Sequence, residues 1–254
     1  MVAAGRHGVA RVLSKRGLAS RTEAARWVRE GRVKVDGKTI SDPDHPTAAD
    51  ARIDVDGAAA GEVERVHIAL NKPRGLVTTA SDERGRATVY DCLSGLDLPW
   101  LAPVGRLDQA SEGLLLLSND PEWAARITDP MWALCKTYHV QVRGLPSMAR
   151  IDTLVTGVAV DSSSPPWQAR AARLLRSGGK TAWLEIVLDE GRNRQIRRML
   201  EAMDLPVLRL LRVAIGTVHL GDLAKGAVRR LGADEVTALG SDPDAPRGAH
   251  RANP

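Results

Sequence analysis

The sequence predicts an α+β chain of two unequal domains, and three observations carry that prediction. Within residues 8–41 the apolar spacing changes from helical to alternating, with a tight-turn signal at Asp36–Gly37. Charge is divided along the chain. Residues 1–41 hold ten basic residues against Glu23, Glu30 and Asp36, a net +7, and residues 42–64 hold seven acidic residues against Arg52, a net −6. Farther on, the four leucines Leu114–Leu117 stand between polar residues. An apolar run that short has the form of a strand buried on both faces.

Composition bounds the function classes. The 254 residues suffice for a small domain plus a medium one, and an apolar content of 43% supplies a core although Phe is absent. Lys and Arg outnumber Asp and Glu by 36 to 31. That excess alone does not identify a nucleic-acid binder, so its distribution matters more. Cys92 and Cys135 show neither metal-ligand spacing nor a disulfide framework, which fits a reducing compartment. No apolar run reaches membrane-spanning length, and no apolar signal core follows the basic N-terminus. A cytoplasmic, monomeric protein without membrane association is expected.

In the first unit, Val9, Val12 and Leu13 have helical spacing and Gly17 ends that helix. Ser20-Arg21-Thr22-Glu23 is a capping box, opening a helix through Ala24, Ala25, Trp27 and Val28 that stops at Gly31. Val33 and Val35 then alternate with Arg32 and Lys34, and Lys38-Thr39-Ile40 returns as the second arm of a hairpin. Arg26 and Arg29 are neighbours on one helix face, with Arg21 at its start and Lys34 and Lys38 on the hairpin. Such a group is either a phosphate-neutralising patch or a solvated charged face. The first domain is placed at 8–56, a linker at 57–64, the second domain at 65–240, and a disordered tail rich in Asp, Pro, Arg and Gly at 241–254.

The second domain opens with a strand, Val66–Leu70, followed by the turn Asn71-Lys72-Pro73-Arg74-Gly75, and Asp82–Thr88 has the composition of a mobile polar loop. Leu114–Leu117 follows a polar loop holding Arg106, Asp108, Ser111 and Glu112. A carboxylate and a guanidinium just outside a core strand suit a catalytic loop, and equally a turn aspartate satisfying its own backbone. Asp120–Ile127 is a helix with Pro near its start, and Lys136–Val142 alternates as a strand with Tyr138 and His139 on opposite faces. A helix, a variable loop around Pro165–Pro166 and a hairpin at Gly178–Gly179 fill residues 145–181. The strand Trp183–Leu188 runs into a Gly turn. Ile196, Met199, Leu200 and Met203 then mark a core-facing helix, with Arg194, Arg197 and Arg198 clustered at its start, where anions are favoured.

Several of these segments resemble known families. Leu13–Arg21, Glu23–Ala24 and Gly31–Lys38 resemble the alpha-L RNA-binding module, which implies binding of folded RNA by shape and phosphate contacts. Gly105-Arg106-Leu107-Asp108 with Ser111–Leu117, the Asn71–Gly75 turn, Lys136-Thr137-Tyr138 and Leu188–Met199 resemble the segments of RsuA-type ribosomal RNA pseudouridine synthases, in the same order. The resemblance spans roughly residues 9–238, with small departures such as Ser111 where threonine is common and the sequence around Trp132 and Trp167.

The resemblance implies a catalytic domain built on a mixed, mostly antiparallel β-sheet, and a set of roles. Asp108 is the essential catalytic residue, Arg106 fills the gap left by a flipped base, and Tyr138 stacks on the uracil. Leu188 supports the base from below and Arg197 pairs with Asp108. Lys72 and Arg74, in the family's Asn71–Gly75 turn, hold RNA phosphate; charge placement adds Arg194 as a further RNA contact and Arg21, Arg26, Arg29, Lys34 and Lys38 as the module's RNA-binding group. The expected partner is ribosomal RNA or a ribosome-assembly intermediate, and the chemistry requires no cofactor or metal. Two rivals remain: a non-enzymatic RNA-binding protein with a dead synthase domain, and a glycosidase-like enzyme pairing Asp108 with Glu112.

Overall fold

The computed structural model describes residues 6–61, 63–80, 82, 84–161 and 164–240, so the tail expected over 241–254 lies outside the described residues. The small domain contains β1 (His7–Gly8), α1 (Val9–Lys15), α2 (Arg21–Arg29), β2 (Val33–Val35), β3 (Lys38–Thr39), β4 (Pro46–Thr47), β5 (Ile53–Val55) and β6 (Ala58–Ala59). Ser20 Oγ caps α2 by accepting from the Glu23 N–H at 2.9 Å. The reciprocal half of the box is replaced, because the Glu23 carboxylate accepts from Arg26 and from the Trp27 indole. Positive φ at Asp36 and Gly37 (48° and 81°) closes β2 on β3.

Asp56 and Gly57 repeat that geometry and fold β6 back on β5, giving the sheet order β3-β2-β5-β6. Ala60 is buried in the same core as Val12, Leu13, Val28 and Ile53. The small domain therefore takes in the first part of the linker expected at 57–64, and the Asp-Gly pair at 56–57 is the turn signal that marks it. Arg16 is also buried, donating to the carbonyls of Ala49, Ala51 and Ala60 at 2.6–2.8 Å.

The large domain contains β7 (His67–Lys72), β8 (Ala102–Val104), β9 (Glu112–Ser118), α3 (Pro121–Thr128), β10 (Lys136–Arg143), α4 (Met148–Thr156), β11 (Ala171–Gly178), β12 (Thr181–Leu188), α5 (Gln195–Ala202), β13 (Val207–Ile215), β14 (Val218–His219), β15 (Val228–Arg230) and α6 (Ala233–Gly240). Its sheet runs β11-β12-β10-β13-β9-β7-β15, with β14 beside β13 and β8 beside β9. Pairing is antiparallel except between β9 and β13, so the sheet is mixed and mostly antiparallel.

Strand β9 explains its unbroken leucines. Leu114 and Leu116 pack with Val104, Trp123, Ile127 and Ile215, and Leu115 and Leu117 pack with Ile68, Leu70, Val89 and Leu101. Alternate side chains thus fill cores on opposite faces of the sheet. A further core under α4 and α5 joins Ile151, Leu154, Ile196, Met199 and Leu200 to β10 and β12.

Two residues fix the loop that precedes β9. Gly113 has φ +101°, and a Cβ there would lie 2.3 Å from the Arg212 carbonyl oxygen and 2.7 Å from Leu211 Cδ1. Only glycine lets β9 run so close beside β13. Lys72, at the end of β7, has no exposed surface, and its Nζ donates to the carbonyls of Pro73 (3.1 Å), Asp108 (3.2 Å) and Ser111 (2.9 Å). This corrects the expectation that Lys72 holds RNA phosphate: its ammonium is enclosed by backbone and cannot reach one.

Two predictions follow from this packing. Gly113→Ala will lower unfolding free energy by more than about 2 kcal/mol, read from urea denaturation, because both positive φ and steric overlap oppose it. Lys72→Met preserves bulk but strips donors from three enclosed carbonyls, for a loss of about 1–3 kcal/mol. Amide hydrogen exchange at residues 108–113 will accelerate in the variant, and unchanged exchange there would refute the clamp.

Candidate active site

The loop from Gly105 to Ser111 borders a cavity of about 490 Å³, closed by β10, the end of β12, residues 189–194, the start of α5, and β13. Arg106, Asp108, Tyr138, Leu188 and Arg194 line it, whereas Lys72, Arg74 and Arg197 lie outside its wall. The loop backbone is held from several directions. Thr78 Oγ1 donates to the Leu107 carbonyl at 2.7 Å, and the Gly75 N–H donates to that of Gln109 at 2.7 Å. Gln109 Nε2 returns a bond to the Gly75 carbonyl at 3.0 Å. Ser111 N–H reaches the Asp108 carbonyl at 3.0 Å, and Arg197 Nη2 reaches that of Ala110 at 3.0 Å. With its main chain fixed, the loop presents the partly exposed Asp108 carboxylate to the cavity.

Arg194, not Arg197, makes the ion contact with Asp108, at 3.7 Å from Nη1 to Oδ2. The direct pairing expected of Arg197 is therefore corrected, and the reason is local. Arg194 sits just ahead of α5, with left-handed backbone (φ 51°), and its guanidinium reaches the loop. Arg197 lies within α5, where Ala110 O and, at 3.4 Å, Ser111 Oγ hold its guanidinium. Burial lowers the proton affinity of Arg197, as does the nearby Arg194 charge, while Asp108 opposes that drop through space. Arg74 is exposed and near enough for its charge to weigh on Arg197 too. Burial likewise pushes Lys72 down to about 8, with Asp108 opposing, so Lys72 remains protonated at neutral pH.

The register of β10 sets the rest of the site. Lys136 lies opposite Leu188 on β12, and Tyr138 lies opposite Arg212 on β13. Tyr138 packs against two of the domain's cores, and Leu188 is buried. His139 faces the other way and meets Glu185 Oε2 at 3.2 Å. Glu112 is buried 2.8 Å from both Arg209 Nε and Lys225 Nζ and does not line the cavity. Glu112 is thereby excluded as the partner in a two-carboxylate mechanism.

Lys136 and Arg212 line the cavity and were not nominated from sequence. Lys136 carries a findable signal, since it shares a strand face with Tyr138. For Arg212 the signal is a charge within the apolar run Leu210–Ile215. Among the described residues, no cluster of His, Cys, Asp or Glu could hold a metal ion, and no helix is long and apolar enough to cross a membrane.

On the small domain the basic group is only partly free. Arg26 pairs with Glu23 and Glu30, and Arg21 lies 4.0 Å from Asp44. Arg29, Lys34 and Lys38 are exposed and have no ion-pair partner among the described residues. Lys34 stands opposite Thr39 and Lys38 opposite Val35, so the two lysines leave the hairpin from opposite faces. Arg65 joins the domains by donating to the Lys15 and Asn119 carbonyls, both at 2.9 Å.

This architecture agrees with known proteins. The RNA pseudouridylate synthase family pattern matches residues 66–202, and the S4 domain pattern matches residues 9–53. Ribosomal large subunit pseudouridine synthase B of Bacillus subtilis is 34% identical over 230 residues, covering 90% of this chain and 93% of that protein. An uncharacterized RNA pseudouridine synthase of Mycobacterium bovis is 39% identical over 235 residues, covering 90% and 91%. A crystal structure of a pseudouridylate synthase superposes with a TM-score of 0.64 at 26% identity, covering 92% of this chain and 99% of that one. Fold, domain order and near full-length similarity together establish that the chain belongs to the RNA pseudouridylate synthase family, with an S4 domain ahead of its catalytic domain.

Proposed function

We propose that this synthase converts a uridine of ribosomal RNA to pseudouridine, with the base flipped into the cavity and Asp108 as the reacting carboxylate. One observation carries the reading: a rigidly held loop offers the partly exposed Asp108 carboxylate to a cavity walled by Tyr138 and Leu188, where the other lining carboxylates, Asp189 and Glu190, face Arg170 and Arg192. In the reaction the N1–C1′ bond breaks, the base turns, and a C5–C1′ bond forms. No electrons are exchanged with another molecule, so positioned side chains can carry the chemistry. The Arg194–Asp108 contact is too exposed to lock the carboxylate, which remains free to act as nucleophile or base.

A base in folded RNA must leave its stack to reach this depth. Arg106 is exposed at the cavity wall and suited to the vacated space, while Tyr138 stacks on the uracil above Leu188. Arg74 and Arg194 are placed for phosphate. The S4 domain and the name of the Bacillus subtilis relative make large-subunit ribosomal RNA the first substrate to test. The free cations Arg29, Lys34 and Lys38 supply the small domain's phosphate contacts, whereas Arg16, though basic, is spent inside its fold.

The test uses large-subunit RNA from a strain lacking this gene, incubated with pure protein and mapped for pseudouridine. Wild type will modify one position. Asp108→Asn will fold and bind RNA but form no detectable product, because an amide cannot replace the anion. Asp108→Glu moves the carboxylate by roughly 1 Å and will cost about a hundredfold in rate. A well-folded, active Asp108→Asn protein would end the assignment. Replacing Arg29, Lys34 and Lys38 together by Gln will make the slope of log K against log salt shallower by about two to three, whereas an unchanged slope would remove these residues from the interface.

A further inference from the structure

Arg212 is a charged residue inside the central sheet. It is 5% exposed, and its Nε donates to the Leu114 carbonyl at 2.7 Å, which fixes the guanidinium against β9. Arg212 is among the residues lining the cavity, and its Nη2, enclosed in the unliganded protein, has no acceptor among the described residues. Tyr138 is its direct cross-strand neighbour, so ring and guanidinium share one face of the sheet. Lys136 adds a second cation beside it. A buried donor without an acceptor is costly, and a binding cavity is where a ligand can satisfy it.

The ligand must be an acceptor small enough to reach the sheet. Phosphate has exposed arginines at its disposal nearer the solvent, Arg74 and Arg194 among them. The ring beside Tyr138 brings its own acceptors, the two uracil carbonyls. Resting on the uridine reading above, we propose that Arg212 donates to a ring carbonyl of the flipped uracil and thereby selects and activates the base. While detached, the base keeps the electron pair of the broken N1–C1′ bond, and the negative charge spreads over N1, O2 and O4. That charge is discharged when C5 bonds to C1′, the C5 proton departs and N1 takes up a proton. A guanidinium already anchored on β9 through its Nε can turn its free Nη2 to such a carbonyl and stabilise the charged stage with little reorganisation.

The experiment uses an RNA oligonucleotide spanning the mapped position, carrying uridine, 2-thiouridine or 4-thiouridine there. Sulfur accepts hydrogen bonds poorly, so each replacement tests one carbonyl. Single-turnover rates are compared for the full-length wild type, Arg212→Met and Arg212→Lys. Wild type will lose roughly tenfold or more on one thio substrate. In Arg212→Met that preference for oxygen will collapse to within about twofold, and Arg212→Lys, which keeps a cationic donor, will fall between. Each ratio is taken within one protein, so a lower folded fraction cancels. Arg212→Lys carries the comparison if Arg212→Met does not fold, and where a variant does not react the same ratio is read from Kd. Wild-type indifference to both thio substrates, or an undiminished ratio in both variants, overturns the role of Arg212 alone. A wild type that leaves the uridine RNA unmodified overturns the uridine reading and this inference together.

Discussion

The ammonium of Lys72, enclosed by three carbonyls, is the interaction on which the site depends. Two of those carbonyls belong to Asp108 and Ser111, so one buried cation joins β7 to both ends of the turn that opens β9. Burying a charge is expensive unless hydrogen bonds compensate it, and here the compensation is the loop itself. Displacing the loop would strand the ammonium. The position of Asp108 is thereby coupled to the stability of the sheet and not left to a flexible surface segment.

Three further donors complete the restraint from outside β7: Thr78, Gly75 and Arg197. Their convergence explains how the Asp108 carboxylate can remain solvent-accessible without being imprecise. The backbone is fixed and only the side chain is free, the arrangement that the reactive role proposed for Asp108 calls for. Gly113 permits the same loop to enter β9 directly beside Arg212 on β13, the residue that stands opposite Tyr138 on β10.

The small domain repeats the device on another scale. Arg16 holds three carbonyls in the turns around β5 and β6, just as Lys72 holds those around β9. Arg65 then ties the carbonyls of Lys15 and Asn119 together, joining α1 to the turn before α3. Basic residues in this protein therefore serve two purposes, and position in the fold decides which. Those on an outer face, such as Arg29 and Lys34, stay exposed. Those under a loop are occupied by backbone oxygen.

Much of this was legible in the sequence because it rests on local chemistry. The Ser20 cap, the Asp36–Gly37 turn, the Pro121 helix start and the doubly buried leucines of β9 each follow from residue type and spacing. The motif order identified the family, and with it Asp108, Tyr138 and Leu188 as one group, which the sheet register then brings to one cavity. What tertiary structure decided was the partner of each charge. Sequence assigned Lys72 to phosphate and Arg197 to Asp108, and passed over Arg212. The fold instead buries Lys72 under the loop, gives the ion contact to Arg194 and places Arg212 in the cavity lining. The physical reason is that a long cationic side chain reaches several ångströms in any direction. Local sequence limits where its Cα lies, but only the packed neighbours determine whether its charge meets solvent, a carboxylate or a carbonyl.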